Sequence, residues 1–301
     1  MDLKQLEYFV QVAELGSYTR AANRLAVVQS ALSRQVRALE VELRQPLFIR
    51  TGRGVTLTEP GKRLLEHGRG ILQQVERARH DIESRRGEAG GRVVIGLPPS
   101  VSRTLTGPLV KAFRERLPNA TLSVVEGLSA YVLEWLAIGR VDCAVVYNVA
   151  PSPAVDLQPV LDEPLYLVSA RAAPGQGRLV GAAITLDEVA HLELVIPSQP
   201  HSVRMLLESA LAATGLAPRV ALEIESVPAM LDLVQHDGLH AVLALNAVEA
   251  SGIAGAFRAR PIGPPRLKTK LWIGTSAQRP RGPLLDRTSE LLREMLLAQR
   301  L

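Results

Sequence analysis

The chain has 301 residues, 47% of them apolar and 22% charged, with a net charge of +5. That length suffices for about two domains of ordinary size, and the composition excludes a wholly disordered chain. No apolar run approaches the roughly 18 residues a membrane span needs, and the one cysteine, Cys143, excludes an internal disulfide and a cysteine-rich zinc site.

The start, Met1-Asp2-Leu3-Lys4-Gln5, lacks a basic segment followed by an apolar one, so no signal peptide is expected. A cytoplasmic, reducing setting with no membrane partner fits these features. Cys143 precedes Ala144-Val145-Val146, which favours a buried, inert thiol over a redox role. Charge is unevenly placed. Residues 1–88 hold 15 Lys/Arg against 11 Asp/Glu, and Ser17 to Arg63 holds nine against three. Such a concentration is an electrostatic footprint for phosphate, with a solvated basic face as the plainer reading.

Leu6, Phe9, Val10 and Ala13 follow helical spacing, so a first helix is predicted over about residues 2–15. Gly16 suits its end, and Ser17 can cap a second helix near Tyr18 to Ala26. A third helix starts near Gln29. Its Leu32, Val36, Leu39 and Leu43 face a core, which leaves Gln29, Ser30, Ser33, Arg34 and Arg37 on the other side. Two short helices joined tightly, with a polar outer face on the second, make a helix-turn-helix, whose use is to set that helix in the major groove of DNA.

The runs Leu47-Phe48-Ile49-Arg50 and Val55-Thr56-Leu57-Thr58 flank a glycine-containing turn and predict a hairpin. This wing presents Arg50 and Arg53 to a minor groove or to phosphate. A long helix follows from Glu59 to about Arg86, with Thr58 as its cap and Pro60 in its first turn. Its Gly61, Leu64, Gly68, Ile71, Val75, Ala78 and Ile82 repeat every 3.5 residues, the period of a helix seam. Self-association is the preferred reading and packing on its own domain the alternative. Gly87 to Gly91 is a glycine-rich hinge.

Beyond the hinge, strands and helices alternate. Strands are predicted at 92–97, 122–125, 142–147, 165–170, 192–196, 220–225 and 240–245. Helices are predicted at 103–116, 129–138, 202–214, 227–236 and about 283–300. Such alternation implies mostly parallel sheets with helices on both faces.

Taken together, Leu6-Glu7-Tyr8-Phe9, Gly16 to Ala22, Gln29 to Val36, Leu39-Glu40, Leu47 to Arg50 and Leu57 to Gly61 resemble the LysR-type transcriptional regulators in order and spacing. Gly96 to Ser100 and Gly139 to Ala144 extend the likeness more loosely. Within the family the chain looks most like the nitrogen-assimilation-control branch. The resemblance implies an α/β protein: a winged helix-turn-helix (1–58), a linker and dimerisation helix (59–88), and a two-lobed effector domain like a periplasmic binding protein (89–301). Lobe I would comprise 92–162 and 268–301, and lobe II 163–267. It further implies a homodimer or homotetramer on double-stranded promoter DNA, an effector between the lobes, and RNA polymerase as a partner. The family usually has Ser just before the Gln of the third helix and Pro just after it. Here these are Val28 and Ser30, and Val28 has no side chain that can cap.

On this reading Gln29 can pair with adenine and Arg34 with guanine, while Ser33 reaches a base or a phosphate. Ser17, Tyr18 and Thr19 are placed for phosphate at a helix start. In the second domain Ser100, Ser102, Ser129, Ser198, His201 and Ser202 fall where strands end and helices begin. They could converge on a small organic anion, or each could merely cap its helix. Arg103 and Arg204 are possible counter-charges. No enzyme is expected: His236 and His240 have zinc-helix spacing, but Gly238 interrupts the helix, and no nucleophile elbow, Walker loop or dinucleotide glycine pattern is present. Neither a metal nor a cofactor is therefore expected. The rival reading is a ligand-binding receptor with a helical appendage and no sequence-specific DNA function.

Overall fold

The computed structural model describes residues 1–52, 54–83, 91–171, 179–277 and 282–298. Three helices open the chain: α1 (Leu3–Leu15), α2 (Tyr18–Arg24) and α3 (Gln29–Leu43). Asp2 and Gln5 form a reciprocal cap at the start of α1, and Gly16 ends it in the left-handed conformation at φ 60°. The Ser17 hydroxyl then accepts the Arg20 amide at 3.4 Å and starts α2. The hairpin strands β1 (Phe48–Thr51) and β2 (Gly54–Leu57) pair antiparallel. Leu6, Phe9, Val12, Leu32, Val36, Leu39 and Leu47 are fully or almost fully buried and fill the core of this unit.

The long helix α4 (Glu59–Glu83) begins on Thr58, whose hydroxyl accepts the Gly61 amide at 3.1 Å and donates to the Pro46 carbonyl at 2.6 Å. The predicted seam of α4 is divided. Its first half is covered by its own chain: a Cβ on Gly61 would lie 2.2 Å from the Leu47 carbonyl oxygen, and Gly68 packs against Leu6 and Val10. Ile71 is 38% exposed and Ala78 is exposed. The preference for self-association along the whole seam is therefore corrected at its first turns, because glycine lets the hairpin and α1 sit directly on the helix backbone. Most of the predicted hinge, residues 87–90, lies outside the described residues, and Gly91 already belongs to a strand.

The remaining elements are β3 (Gly91–Leu97), α5 (Pro99–Arg116), β4 (Ala120–Glu126), α6 (Ser129–Ile138), β5 (Cys143–Tyr147), β6 (Val155–Ala170), α7 (Leu186–Ala190), β7 (Glu193–Ile196), α8 (Ser202–Ala212), β8 (Arg219–Glu223), α9 (Val227–His236), β9 (Ala241–Ala244), α10 (Leu245–Glu249), β10 (Phe257–Pro261), β11 (Lys268–Ser276) and α11 (Pro283–Ala298). They form two α/β lobes. In the first, β4, β3, β5, β11 and the start of β6 lie side by side. One face packs on α5 and α11 through Leu105, Leu109, Phe113 and Leu292, the other on α6 through Val132 and Leu136. In the second lobe β10, the end of β6 and β9 are paired, and a bridge from Leu194 to His240 brings in β7 and β8.

The sheets are mixed, not mostly parallel. β3 pairs parallel with β4 and β5, and β7 with β8, but every pairing of β6 and of β11 is antiparallel. These two strands are where the chain passes between lobes. β6 pairs with β11 up to Pro164 and with β9 from Leu165, and β11 begins at Lys268. Residues 155–164, β10 and β11 escaped the sequence reading because Pro159, Pro164 and Pro261 interrupt them and charged residues are interleaved. Cys143 is buried, with the Ser289 hydroxyl 3.4 Å from its sulfur. Among the described residues no helix is long and apolar enough to cross a membrane.

On the side opposite Gly61, α4 meets lobe I. A Cβ on Gly70 would lie 2.3 Å from the Ile138 carbonyl oxygen. Glu66 pairs with Arg140, whose guanidinium lies 4.2 Å from the Trp135 ring centre. Gln73 donates to Asp142 at 3.3 Å, and the same carboxylate oxygen accepts the Val94 amide at 2.7 Å. We expect Gly70→Ala to push α4 off α6, since neither backbone can yield locally. Small-angle scattering of the full chain should then show a larger radius of gyration than wild type; an unchanged radius would show that this seat does not hold the domains together.

Candidate nucleic-acid interface and interlobe cleft

The outer face of α3 is built by the same spacing that buries its inner one. Leu32, Val36 and Leu39 are inaccessible, so Gln29, Ser30, Arg34 and Arg37 are exposed and Ser33 is half-buried. Val28 precedes the helix with no capping hydrogen bond and is 70% exposed. Thr19 is exposed at the start of α2, and the Ser17 hydroxyl is occupied by its cap. Tyr18 is more a packing residue than a surface hydroxyl. Its ring lies edge-on to Phe48 at 5.8 Å, and burial beside Glu40 pushes its phenol up to about 12. Arg50 is exposed near the hairpin tip; Arg53 lies outside the described residues.

Glu40 is a residue that sequence reasoning passed over. Its Oε1 accepts the amides of Leu47 at 2.8 Å and Phe48 at 3.2 Å. The carboxylate thus ties the start of the hairpin to α3, while the Val55 amide donates to the Gly16 carbonyl at 3.0 Å and ties its return strand to the α1–α2 turn. Its sequence signal was its place in the Leu39-Glu40 pair that carries the family resemblance, which did not reveal what the carboxylate binds.

A cleft of about 690 Å³, including its open mouth, lies between the lobes. Of the six predicted residues, Ser100, Ser129, His201 and Ser202 line it, whereas Ser102 and Ser198 do not. The Ser102 hydroxyl is 3.2 Å from that of Thr106, and the Ser198 hydroxyl donates to Glu225 at 3.2 Å. Ser129 is buried and accepts the Tyr147 amide at 2.9 Å, so it fastens α6 to β5 and does not cap its helix. His201 does cap: its Nδ1 accepts the Val203 amide at 3.3 Å, and burial holds the imidazole below its usual pKa despite the nearby Glu225.

The cleft also contains polar groups that the sequence did not single out: Tyr147, Glu163, Glu225, Asn246 and Thr269. The Tyr147 hydroxyl donates to Glu163 at 3.2 Å, and Asn246 donates to the other carboxylate oxygen at 3.2 Å. Burial, and then the charge of Glu163, push the Tyr147 phenol far above its usual value. Neither Lys nor Arg lines the cleft among the described residues. Arg204 is buried and committed to Glu208, to Glu223 at 3.2 Å and to the Pro197 carbonyl at 3.2 Å. Arg103 reaches the Ala250 carbonyl at 3.4 Å. The expectation that these arginines balance a bound organic anion therefore does not match the lining, whose formal charges are two carboxylates.

Two family models match the chain: the bacterial regulatory helix-turn-helix protein of the lysR family over residues 3–62, and the LysR substrate binding domain over residues 86–297. The nitrogen assimilation regulatory protein nac of Klebsiella aerogenes is 35% identical, over 97% of this chain and 94% of its own. In fold the chain is similar to a full-length OxyR variant from Pseudomonas aeruginosa, with a TM-score of 0.71 at 22% identity, over 98% of this chain and 94% of that one. It is also similar to full-length CbnR crystallised with its target DNA, with a TM-score of 0.55 at 26% identity, over 98% and 99% of the two chains.

Hydrogen bonds to a charged acceptor are worth about 1.5–3 kcal/mol each, so Glu40→Ala should cost the hairpin about 2 kcal/mol after relaxation. Amide exchange at Leu47 and Phe48 should speed up in that variant while the centre of α3 stays protected. Equal exchange in both proteins would remove this role from Glu40.

Proposed function

The chain belongs to the LysR family of bacterial transcriptional regulators, and from that premise we propose that residues 1–58 read promoter DNA, 59–88 link and dimerise, and 89–301 bind a small-molecule effector. The observation that carries this reading is the outer face of α3, where Gln29 and Arg34 are exposed and Ser33 is half-buried, opposite the buried Leu32, Val36 and Leu39; Leu43, expected on that inner face, is exposed at the helix end. A helix placed second in such a unit enters the major groove with its N-terminal residues towards the base edges. Gln29 offers adenine a donor and an acceptor, and Arg34 offers guanine a two-pronged donor. Arg37, Thr19 and the wing arginines Arg50 and Arg53 hold phosphates and set the register. CbnR crystallised with its target DNA supports the same use here.

The protein works in the cytoplasm as a dimer or tetramer, and the exposed part of the α4 seam, with Ile71 at its centre, supports contact with a second copy. Its output is a change in how RNA polymerase uses the promoter. Effector binding between the lobes shifts their angle, and the seat of α4 on α6 passes that shift to the reading heads. Nothing in this scheme requires catalysis.

Two measurements test it. Bandshifts against a selected promoter site should lose affinity steeply with salt, because each neutralised phosphate releases counterions. Arg50→Ala should weaken every sequence alike and flatten the salt slope by about one unit. Arg34→Ala should instead relax sequence choice, worth about 1–3 kcal/mol at one base pair. Equal losses on selected and shuffled DNA for both variants would refute this division, and a wild-type protein indifferent to sequence would favour a receptor without a DNA-reading role.

A further inference from the structure

We propose that Val28 reads the C5-methyl group of a thymine in the major groove, beside the base that Gln29 contacts. This rests on the reading of α3 as the recognition helix and adds a residue that sets its sequence choice. Val28 is 70% exposed, a value that only Val41 equals among the described large apolar residues. The turn between α2 and α3 fixes its position. Ala26 takes the left-handed conformation at φ 53°, and Val27 packs on the core of the three-helix unit, its amide donating to the Ala22 carbonyl at 3.0 Å. Val28 follows with an extended backbone, φ −73° and ψ 129°, and its carbonyl accepts the Ala31 and Leu32 amides at 3.0 and 3.1 Å. The backbone is thus held from both sides, and a β-branched side chain has few rotamers left.

A single exposed apolar side chain is ordinary; the place of this one is not. Valine is among the least favoured N-cap residues, and Val28 makes no capping hydrogen bond. Its side chain therefore gives the fold neither a cap nor a buried contact. It precedes the exposed Gln29 and Ser30, at the end of the helix that meets the base edges. Val41 has the same exposure but sits in the last turn of α3, away from that end. In the major groove thymine shows an acceptor and a methyl group, whereas cytosine shows an amino donor. A valine side chain forms no hydrogen bond. Against thymine it takes two apolar groups out of water. Against cytosine it would strip the amino group of water and offer nothing in return. Gln29 on an adenine and Val28 on a thymine methyl together read A·T pairs through both kinds of contact the groove offers.

The test uses the full chain to enrich a binding site from a random duplex library. Each thymine of that site is then replaced in turn by uracil, which lacks the methyl group and keeps the same hydrogen-bonding edge. One replacement should weaken wild-type binding about fourfold, the worth of one buried carbon group. Val28→Ser and Val28→Gly should bind the thymine and uracil duplexes equally well. Both variants should stay folded, since serine and glycine are favoured N-caps, and thermal melting checks this. If no uracil replacement on an enriched site separates wild type from these variants, Val28 reads no methyl group, while DNA reading by the rest of α3 stands. If the wild-type chain enriches no site, this proposal falls together with the DNA reading it rests on.

Discussion

Two close approaches to the backbone of one helix hold the architecture together. On α4, Gly61 lies under the Leu47 carbonyl and Gly70 under the Ile138 carbonyl. Nine residues of a helix with 3.6 per turn are two and a half turns, so these glycines look in opposite directions. Gly68 shares the side of Gly61, and Glu66, Gly70 and Gln73 share the other. The helix is therefore a common wall between the DNA-reading unit and lobe I. A side chain at Gly61 or Gly70 would separate it from one of them.

From that wall the path to the cleft is short. Gln73 and the Val94 amide meet on one oxygen of Asp142, at the foot of β5. The other end of β5 is Tyr147, whose hydroxyl touches Glu163 on the strand shared by the lobes. A five-residue strand buried throughout is a stiff connector. Hence the contacts that seat α4 and those that face a ligand are opposite ends of one element. On the proposed reading, this rigid packing is the route by which occupancy of the cleft would reach α4.

The recognition surface has a comparable economy. The wing is anchored at its start by the Glu40 carboxylate and at its return by the Gly16 carbonyl, so Arg50 is positioned relative to α3 by bonds to the hairpin backbone. Val28 leaves the first turn of α3 without a side-chain cap. The helix is thus carried by its buried leucines and valine.

Sequence alone determined what depends on local spacing. The three opening helices, the hairpin, α6 and α9 follow from apolar periodicity and caps, and so does the face of α3 that carries Gln29, Ser33 and Arg34, because burying one side of a helix exposes the other. The family resemblance supplied the two lobes. Tertiary structure decided what depends on neighbours distant in the chain. The antiparallel course of β6 and β11 arises because the chain returns between lobes, which no window of residues records. Glu40 and Asp142 look like ordinary surface acids until the amides they accept, from residues 7 and 48 positions away, are in place. Glu163 and Glu225 were not singled out for the same reason: the cleft's serines lie in readable strand-to-helix corners, whereas these two reach it from a crossing strand and a loop, and Arg204 is withdrawn by partners that only folding brings near.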